Sequence, residues 1–149
     1  MLRKMLLAVL AGLLLSAPAS AQSSRKVLED FGFFGNWAPD CSIPATPTNI
    51  RRHAYNTQGG EVHFTESVTL NTKRNIYAVF EARRIAPDKV LLRIQLNGKD
   101  MQNLTMKKEN GRLRTIYNEK VGGDFLVKDG IVLSTGKETP WLTYCNDKD

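Results

Sequence analysis

The sequence predicts an all-β fold: an antiparallel up-and-down meander of about eight strands, curled into a closed or strongly curved barrel, with one short helix at its start. Three observations carry this. Turn dipeptides recur at Gly59-Gly60, Asn97-Gly98, Asn110-Gly111 and Asp129-Gly130, each suited to the positive φ values of a type I′ hairpin. The stretches between them are short, with alternating apolar and polar positions and strand-forming residues. Long crossing connections are few, so successive strands pair with their neighbours, and a meander of this length curls to hide its edges.

The N-terminus reads as a leader. Arg3 and Lys4 precede an apolar run from Leu6 to Leu15, and Ala19-Ser20-Ala21 supplies a small-residue cleavage site. The run is too short for a membrane span, which needs roughly 20 apolar residues, and its three-part order is that of a bacterial-type secretory signal peptide. Residues 1–21 are therefore expected to be removed, with a plain N-terminal anchor as the alternative, leaving one domain over 22–149 in the periplasm or outside the cell. Without Arg3 and Lys4 the chain keeps 19 basic and 15 acidic residues. That mild excess falls well short of a nucleic-acid footprint, and an exported location also argues against nucleic acid as a partner.

A helix is expected over Ser24–Phe31, where Ser24 can cap and Val27, Leu28 and Phe31 share a face. Next comes FGFFGNWAPDCS, which crowds Phe31, Phe33, Phe34 and Trp37 around Gly32 and Gly35. This reads as an apolar plug covering one end of a curled sheet, with a ligand-binding wall as the alternative; the glycines let the chain turn from helix into strand. Asp40–Asn49, with Pro44 and Pro47, reads as an irregular loop. Strands follow near Ile50–Asn56, Glu61–Leu70, Asn75–Arg84, Lys89–Leu96, Met101–Lys108, Leu113–Asn118, Asp124–Lys128 and Ile131–Thr135, with a last short one at Trp141–Cys145. Softer turns are Asn71-Thr72-Lys73 and Ala86-Pro87-Asp88.

Period-two alternation assigns the faces. Phe64, Val68 and Leu70 fall inward, as do Val90, Leu92, Ile94 and Leu96. In the strand from Asn75, Ile76, Ala78, Phe80 and Ala82 share one face and Tyr77, Val79, Glu81 and Arg83 the other, both partly apolar. Leu104 and Met106 pair with Leu113, Thr115 and Tyr117 as inner residues. Glu66 shares the inward face of its strand, and a buried carboxylate must find a partner or shift its pKa. Either it lines a site or it sits at a rim beside an arginine.

Cys41 and Cys145 are the two cysteines. In an oxidising compartment one bridge between them is the simplest outcome, and two thiols alone make no metal site. His53 and His63 flank the Gly59-Gly60 turn; with that dipeptide as the whole loop, His53 faces Glu66 and His63 faces Asn56. Without a third ligand they point weakly to metal or acid–base chemistry. Basic doublets occur at Arg51-Arg52, Lys73-Arg74, Arg83-Arg84 and Lys107-Lys108, and Arg112 and Arg114 share a strand face. Asn103-Leu104-Thr105 matches a glycosylation acceptor on an inner strand, where the match is empty. No nucleophile elbow, zinc-protease helix or phosphate-cradling loop is present.

Gly35-Asn36-Trp37, after a short helical segment, resembles the Gly-x-Trp that opens the first strand of lipocalins and related calycin barrels. The resemblance implies a small-ligand barrel whose end is closed by Trp37 beneath an arginine of the last strands. This chain departs from that pattern: it is short, lacks a C-terminal helix, and neither Arg112 nor Arg114 is obviously placed over Trp37. A disulfide from the C-terminal segment is also common in that family.

The leading expectation is a non-enzymatic, cofactor-free and metal-free binding protein, monomeric or weakly associating. Its ligand would be a small apolar or amphipathic molecule held by Phe64, Glu66, Val68, Phe80, Leu92, Ile94 and Tyr117. A second expectation is an envelope interaction or inhibitor module using a basic outer face of Arg51, Arg52, Arg83, Arg84, Arg112 and Arg114, for an anionic partner. A third is an enzyme using Glu66 with His53 or His63.

Overall fold

A computed structural model describes residues 23–69 and 74–146. The leader, the inner position of Leu70, the Asn71-Thr72-Lys73 turn and Lys73 lie outside the described residues. Helix α1 spans Ser24–Phe31. The strands are β1 Gly35–Ala38, β2 Arg51–Asn56, β3 Val62–Ser67, β4 Arg74–Ala86, β5 Lys89–Leu96, β6 Asp100–Glu109, β7 Arg112–Lys120, β8 Phe125–Lys128, β9 Ile131–Val132, β10 Lys137–Glu138 and β11 Thr143–Cys145. All eleven belong to one antiparallel sheet ordered β10-β9-β8-β7-β6-β5-β4-β3-β2-β1-β11. The all-β meander with a short leading helix is as expected. The count is a correction: β1 and the two-residue β10 add to the expected strands, being too short to show their own alternation, and β9 ends at Val132 rather than Thr135.

Closure is also corrected. The sheet is not closed by a strand ladder. It curls until Leu142, just ahead of β11, meets Leu113 at the start of β7 in a single antiparallel pair. Leu113 N donates to Leu142 O at 2.9 Å and Leu142 N to Leu113 O at 2.7 Å. β8 takes the other end of the β7 edge, at Asn118 and Glu119, and β9 and β10 extend the sheet from β8.

The turns follow the dipeptides. Among the described residues, Asn97, Asn110 and Asp129 are the three non-glycine residues with positive φ, each followed by a glycine that also has positive φ. The exception is Gly59-Gly60. The β2–β3 ladder ends at Asn56↔Val62, and Thr57 N donates to Glu61 O at 2.8 Å, so the loop is wider than two residues. That moves the register by one.

Helix α1 lies on β4, with Ser24 Oγ accepting from Ala82 N at 2.9 Å. Its N-cap is Ser23 rather than Ser24, and Gly32 closes it in the left-handed conformation. Val27, Leu28, Phe31, Phe33 and Trp37 are buried together with Val90, Leu92 and Met106, which makes the aromatic-rich opening a plug. Trp37 Nε1 donates to Phe33 O at 2.9 Å, so its one polar atom is satisfied inside the core. Lys108 stands 5.8 Å over the Trp37 ring, with Nζ donating to Phe31 O at 3.1 Å. Cys41 and Cys145 are bonded across 104 residues. No helix among the described residues is long and apolar enough to cross a membrane.

Two β-bulges decide which residues face in. In β4 the ladder to β5 skips between Val79 and Glu81, leaving Phe80 unpaired and 61% exposed. In the β6–β7 ladder Met106 pairs with Thr115 but Thr105 with Tyr117. An extra residue in one strand reverses its alternation beyond that point. Tyr77 and Val79 therefore face in before the β4 bulge, and Asn118 replaces Tyr117 on the inner face of β7.

Candidate functional site

Inside the curl, beyond the plug, lies a cavity of about 230 Å³. Its apolar wall is Ile50, Phe64, Ile94, Leu104, Val127, Val132, Pro140 and Leu142, and its polar groups are Arg52, Glu66, Tyr77, Thr115, Asn118 and Thr139. The volume equals about eight waters at liquid density.

The polar end is built on the wider β2–β3 loop. The one-residue shift sets Arg52 opposite Glu66 instead of His53. Arg52 is 5% exposed and forms a salt bridge with Glu66 through Nη2, while Nε donates to the same oxygen, Oε1, at 3.0 Å. Tyr77 OH donates to Glu66 Oε2 at 3.0 Å. Each charge is thus countered and hydrogen-bonded, as a buried ion must be. The Arg52 guanidinium lies 5.2 Å over the Phe64 ring, and Phe64 stacks on Tyr77 with centroids 4.4 Å apart. Burial, then the Glu66 charge beside it, raises the Tyr77 hydroxyl well above the usual phenol range.

The opposite wall comes from β7 and the C-terminal segment. Asn118 Nδ2 donates to Gln102 Oε1 at 3.1 Å, whereas its Oδ1 is buried without a hydrogen-bond partner. Thr139 is held by donors and acceptors on three sides: its hydroxyl reaches Thr115 O, accepts from Arg114 Nε at 3.0 Å, and its amide donates to Gly130 O at 2.8 Å. Trp141 packs against both Arg112, at 5.3 Å, and Arg114, at 5.5 Å. These contacts fasten the segment that closes the cavity to β7.

Compared with protein-family models, curated proteins and solved structures, the chain matches none of them.

Of the expected ligand-facing residues, Phe64, Glu66 and Ile94 line the cavity. Leu92 is fully buried but packs in the core away from it. Three placements are corrected. Val68 lies past the end of β3 and is 38% exposed. Phe80 is the bulge residue. Tyr117, turned out by the second bulge, donates to Glu119 Oε2 at 3.0 Å. It shares an outer groove with Glu81, Arg83, Leu91, Arg93 and Glu119.

Of the six arginines expected on a basic outer face, one is corrected. Arg52 points inward. Arg51 Nη2 donates to Cys41 O at 2.8 Å and Ile43 O at 2.6 Å, tying down the loop at the disulfide. Arg84 packs 5.4 Å over Phe31 and donates to Pro87 O. Arg112 and Arg114 hold Trp141, and Arg114 also pairs with Glu138 at 3.2 Å. Among the described residues, Arg83 alone of the six makes no such attachment.

The histidines stand on the outside of β2 and β3, across the sheet from Glu66. His53 Nδ1 is 2.6 Å from Asn36 Oδ1, and its ring stacks on Tyr55 at 5.2 Å. His63 meets Tyr55 edge-on at 6.0 Å and Glu61 at 3.4 Å. The structure does not bring Glu66 together with either. Among the described residues no three His, Cys, Asp or Glu side chains gather to hold a metal ion.

Tyr77 and Asn118 were missed as cavity residues, and Arg52 was expected on the outer face. For Arg52 the signal lay in its period-two spacing with Ala54; for Tyr77, in the two-sided apolarity of β4. Asn118 carried no usable signal, because its facing depends on a bulge.

Proposed function

We propose that the protein is a non-enzymatic binding module that holds a small apolar or amphipathic ligand inside its curled sheet. The observation that carries this is the cavity itself: a mainly apolar chamber with a few fixed polar groups, the usual composition of small-molecule sites. An interior packed solid would have left no room. The Arg52–Glu66–Tyr77 network supports the reading, because its members hold one another in place and give the chamber a fixed polar wall.

The compartment is part of the proposal. The leader-like N-terminus and the Cys41–Cys145 bond fit an exported protein, since such bonds persist in oxidising surroundings. The Gly35-Asn36-Trp37 start resembles a lipocalin's, and Lys108 stands over Trp37 where that resemblance implies an arginine.

Titration with 1-octanol, followed by the methyl NMR signals of Ile94 and Leu104, tests the reading. Saturable shifts are expected in the wild type and none in Leu104→Trp, whose indole fills the chamber. Absence of saturable binding in the wild type would falsify it.

A further inference from the structure

A separate pocket lies on the outer side of the sheet, across β2, β3 and β4. Asn36, Arg51, His53, Thr65, Ser67 and Arg74 line it, in a volume of about 340 Å³. Arg52 also borders it, but gives its guanidinium to Glu66 on the inner side.

The strand registers set the row at its centre. Arg51 is paired with Ser67, and Ser67 with Arg74. Directly opposite residues of an antiparallel ladder project from the same face, with Cβ atoms about 5 Å apart. The two arginines are therefore rooted roughly 10 Å apart, with the Ser67 hydroxyl between them. Two residues along, on the same face, His53 stands opposite Thr65.

The pocket is rich in donors, and no carboxylate lines it among the described residues. None of the salt bridges among those residues includes Arg51 or Arg74. Arg51 Nη2 holds Cys41 O and Ile43 O, which anchors the guanidinium without supplying a countercharge and leaves Nε and Nη1 to donate. Asp40 feels the Arg51 charge, yet its Oδ1 is taken by Ser42 N at 2.8 Å and Ser42 Oγ at 2.6 Å. The amide oxygen of Asn36 is occupied as well, 2.6 Å from His53 Nδ1. Like charges gathered in one row repel, and this row has no acid to offset that.

We infer that this outer pocket binds a doubly charged oxyanion of the phosphate class, seated over Ser67 between Arg51 and Arg74. Two guanidinium groups match two negative charges, and their planar donor forks suit oxygens held on one centre. The Ser67 and Thr65 hydroxyls can donate to the remaining oxygens. Inorganic phosphate and a phosphomonoester headgroup share this chemistry. The site is independent of the inner cavity and of what that cavity holds.

Titration of the disulfide-bonded protein with inorganic phosphate at pH 8 and constant ionic strength, followed by the amide NMR signals of Thr65 and Ser67, tests this. Saturable shifts are expected, with acetate at least tenfold weaker than phosphate. Arg74→Gln, at an exposed position, should weaken phosphate at least tenfold. Lys128→Gln, which removes one exposed positive charge elsewhere, should leave the titration unchanged. Acetate binding as tightly as phosphate would overturn the ligand class, and that comparison needs no variant to fold. Equal weakening in Arg74→Gln and Lys128→Gln would reduce the effect to general charge attraction and overturn the site, as would the absence of saturable shifts in the wild type. Flotation with vesicles of phosphatidylcholine and phosphatidic acid then separates the two sources. Capture that inorganic phosphate competes away supports the headgroup, and phosphate binding without capture supports the free anion.

Discussion

Arg52 and Glu66 face each other across the β2–β3 ladder and meet inside the curled sheet, with the Tyr77 hydroxyl on the second carboxylate oxygen. The pair exists because the β2–β3 loop is wider than its Gly59-Gly60 dipeptide suggests. Opening the loop by one residue keeps Arg52 and Glu66 on the same inner face and makes them direct neighbours.

Removing one partner should cost far more than removing both. Glu66→Ala leaves a buried guanidinium uncompensated and is expected to destabilise the fold by about 3–5 kcal/mol. The double variant Arg52→Met/Glu66→Leu should recover most of that, since an apolar pair can replace a buried ion pair at little cost. Urea unfolding of both variants measures it. A double variant no more stable than Glu66→Ala would show that the pair contributes specific geometry that apolar packing cannot replace.

Alkaline pH should unfold the protein through Tyr77. Folding raises the affinity of this hydroxyl for its proton. Its stabilising contribution is therefore complete below the unfolded-state value, about pH 10, and is lost progressively as pH rises above it. Tyr77→Phe, which has no proton to lose, should flatten the fall in melting temperature above pH 10. An unchanged alkaline slope would assign that loss to other groups.

Reduction of Cys41–Cys145 should weaken the fold considerably. A bridge across about 100 residues contributes about 4.7 kcal/mol in the chain-entropy treatment. Cys41→Ala/Cys145→Ala is expected to lower stability by roughly 3–5 kcal/mol on the same basis. A loss below about 1 kcal/mol would mean that the Leu113–Leu142 pair and the Arg51 contacts already hold the ends together.

Gly35 should tolerate no side chain. Its φ is +104°, and an added Cβ would come within 2.5 Å of the Tyr144 ring. Gly35→Ala is expected to cost about 1–3 kcal/mol from backbone strain, plus the ring clash. Adding Tyr144→Ala should relieve the clash and leave the strain. Thermal melts of the single and double variants separate the two parts.

Much of the fold was legible because its signals are local. Asn97-Gly98, Asn110-Gly111 and Asp129-Gly130 need no distant contact to prefer their turns, and Val90, Leu92 and Ile94 mark one face by alternation alone. The helix over Ser24–Phe31 was visible for the same reason. The site was less legible. Phe64, Glu66 and Ile94 sit on strands whose alternation runs unbroken, and they face inward as it predicts. Phe80 and Tyr117 sit at or beyond bulges, where one extra residue turns the pattern over. Nothing local in β4 or β7 marks that residue, because the bulge is set by how each strand must bend to fit its neighbour.

The sequence by itself determined the strand-and-turn grammar, the apolar plug from Phe31 to Trp37 and the pairing of the two cysteines. These follow from backbone preference, burial and the lack of any other thiol. Only the tertiary structure decided that the sheet stays unclosed, meeting itself at Leu113 and Leu142. It alone turned Arg52 from a surface charge into the partner of Glu66, and set Asn118 rather than Tyr117 on the cavity wall. Each of these depends on register between strands, which is fixed by packing across the whole sheet rather than by any one segment.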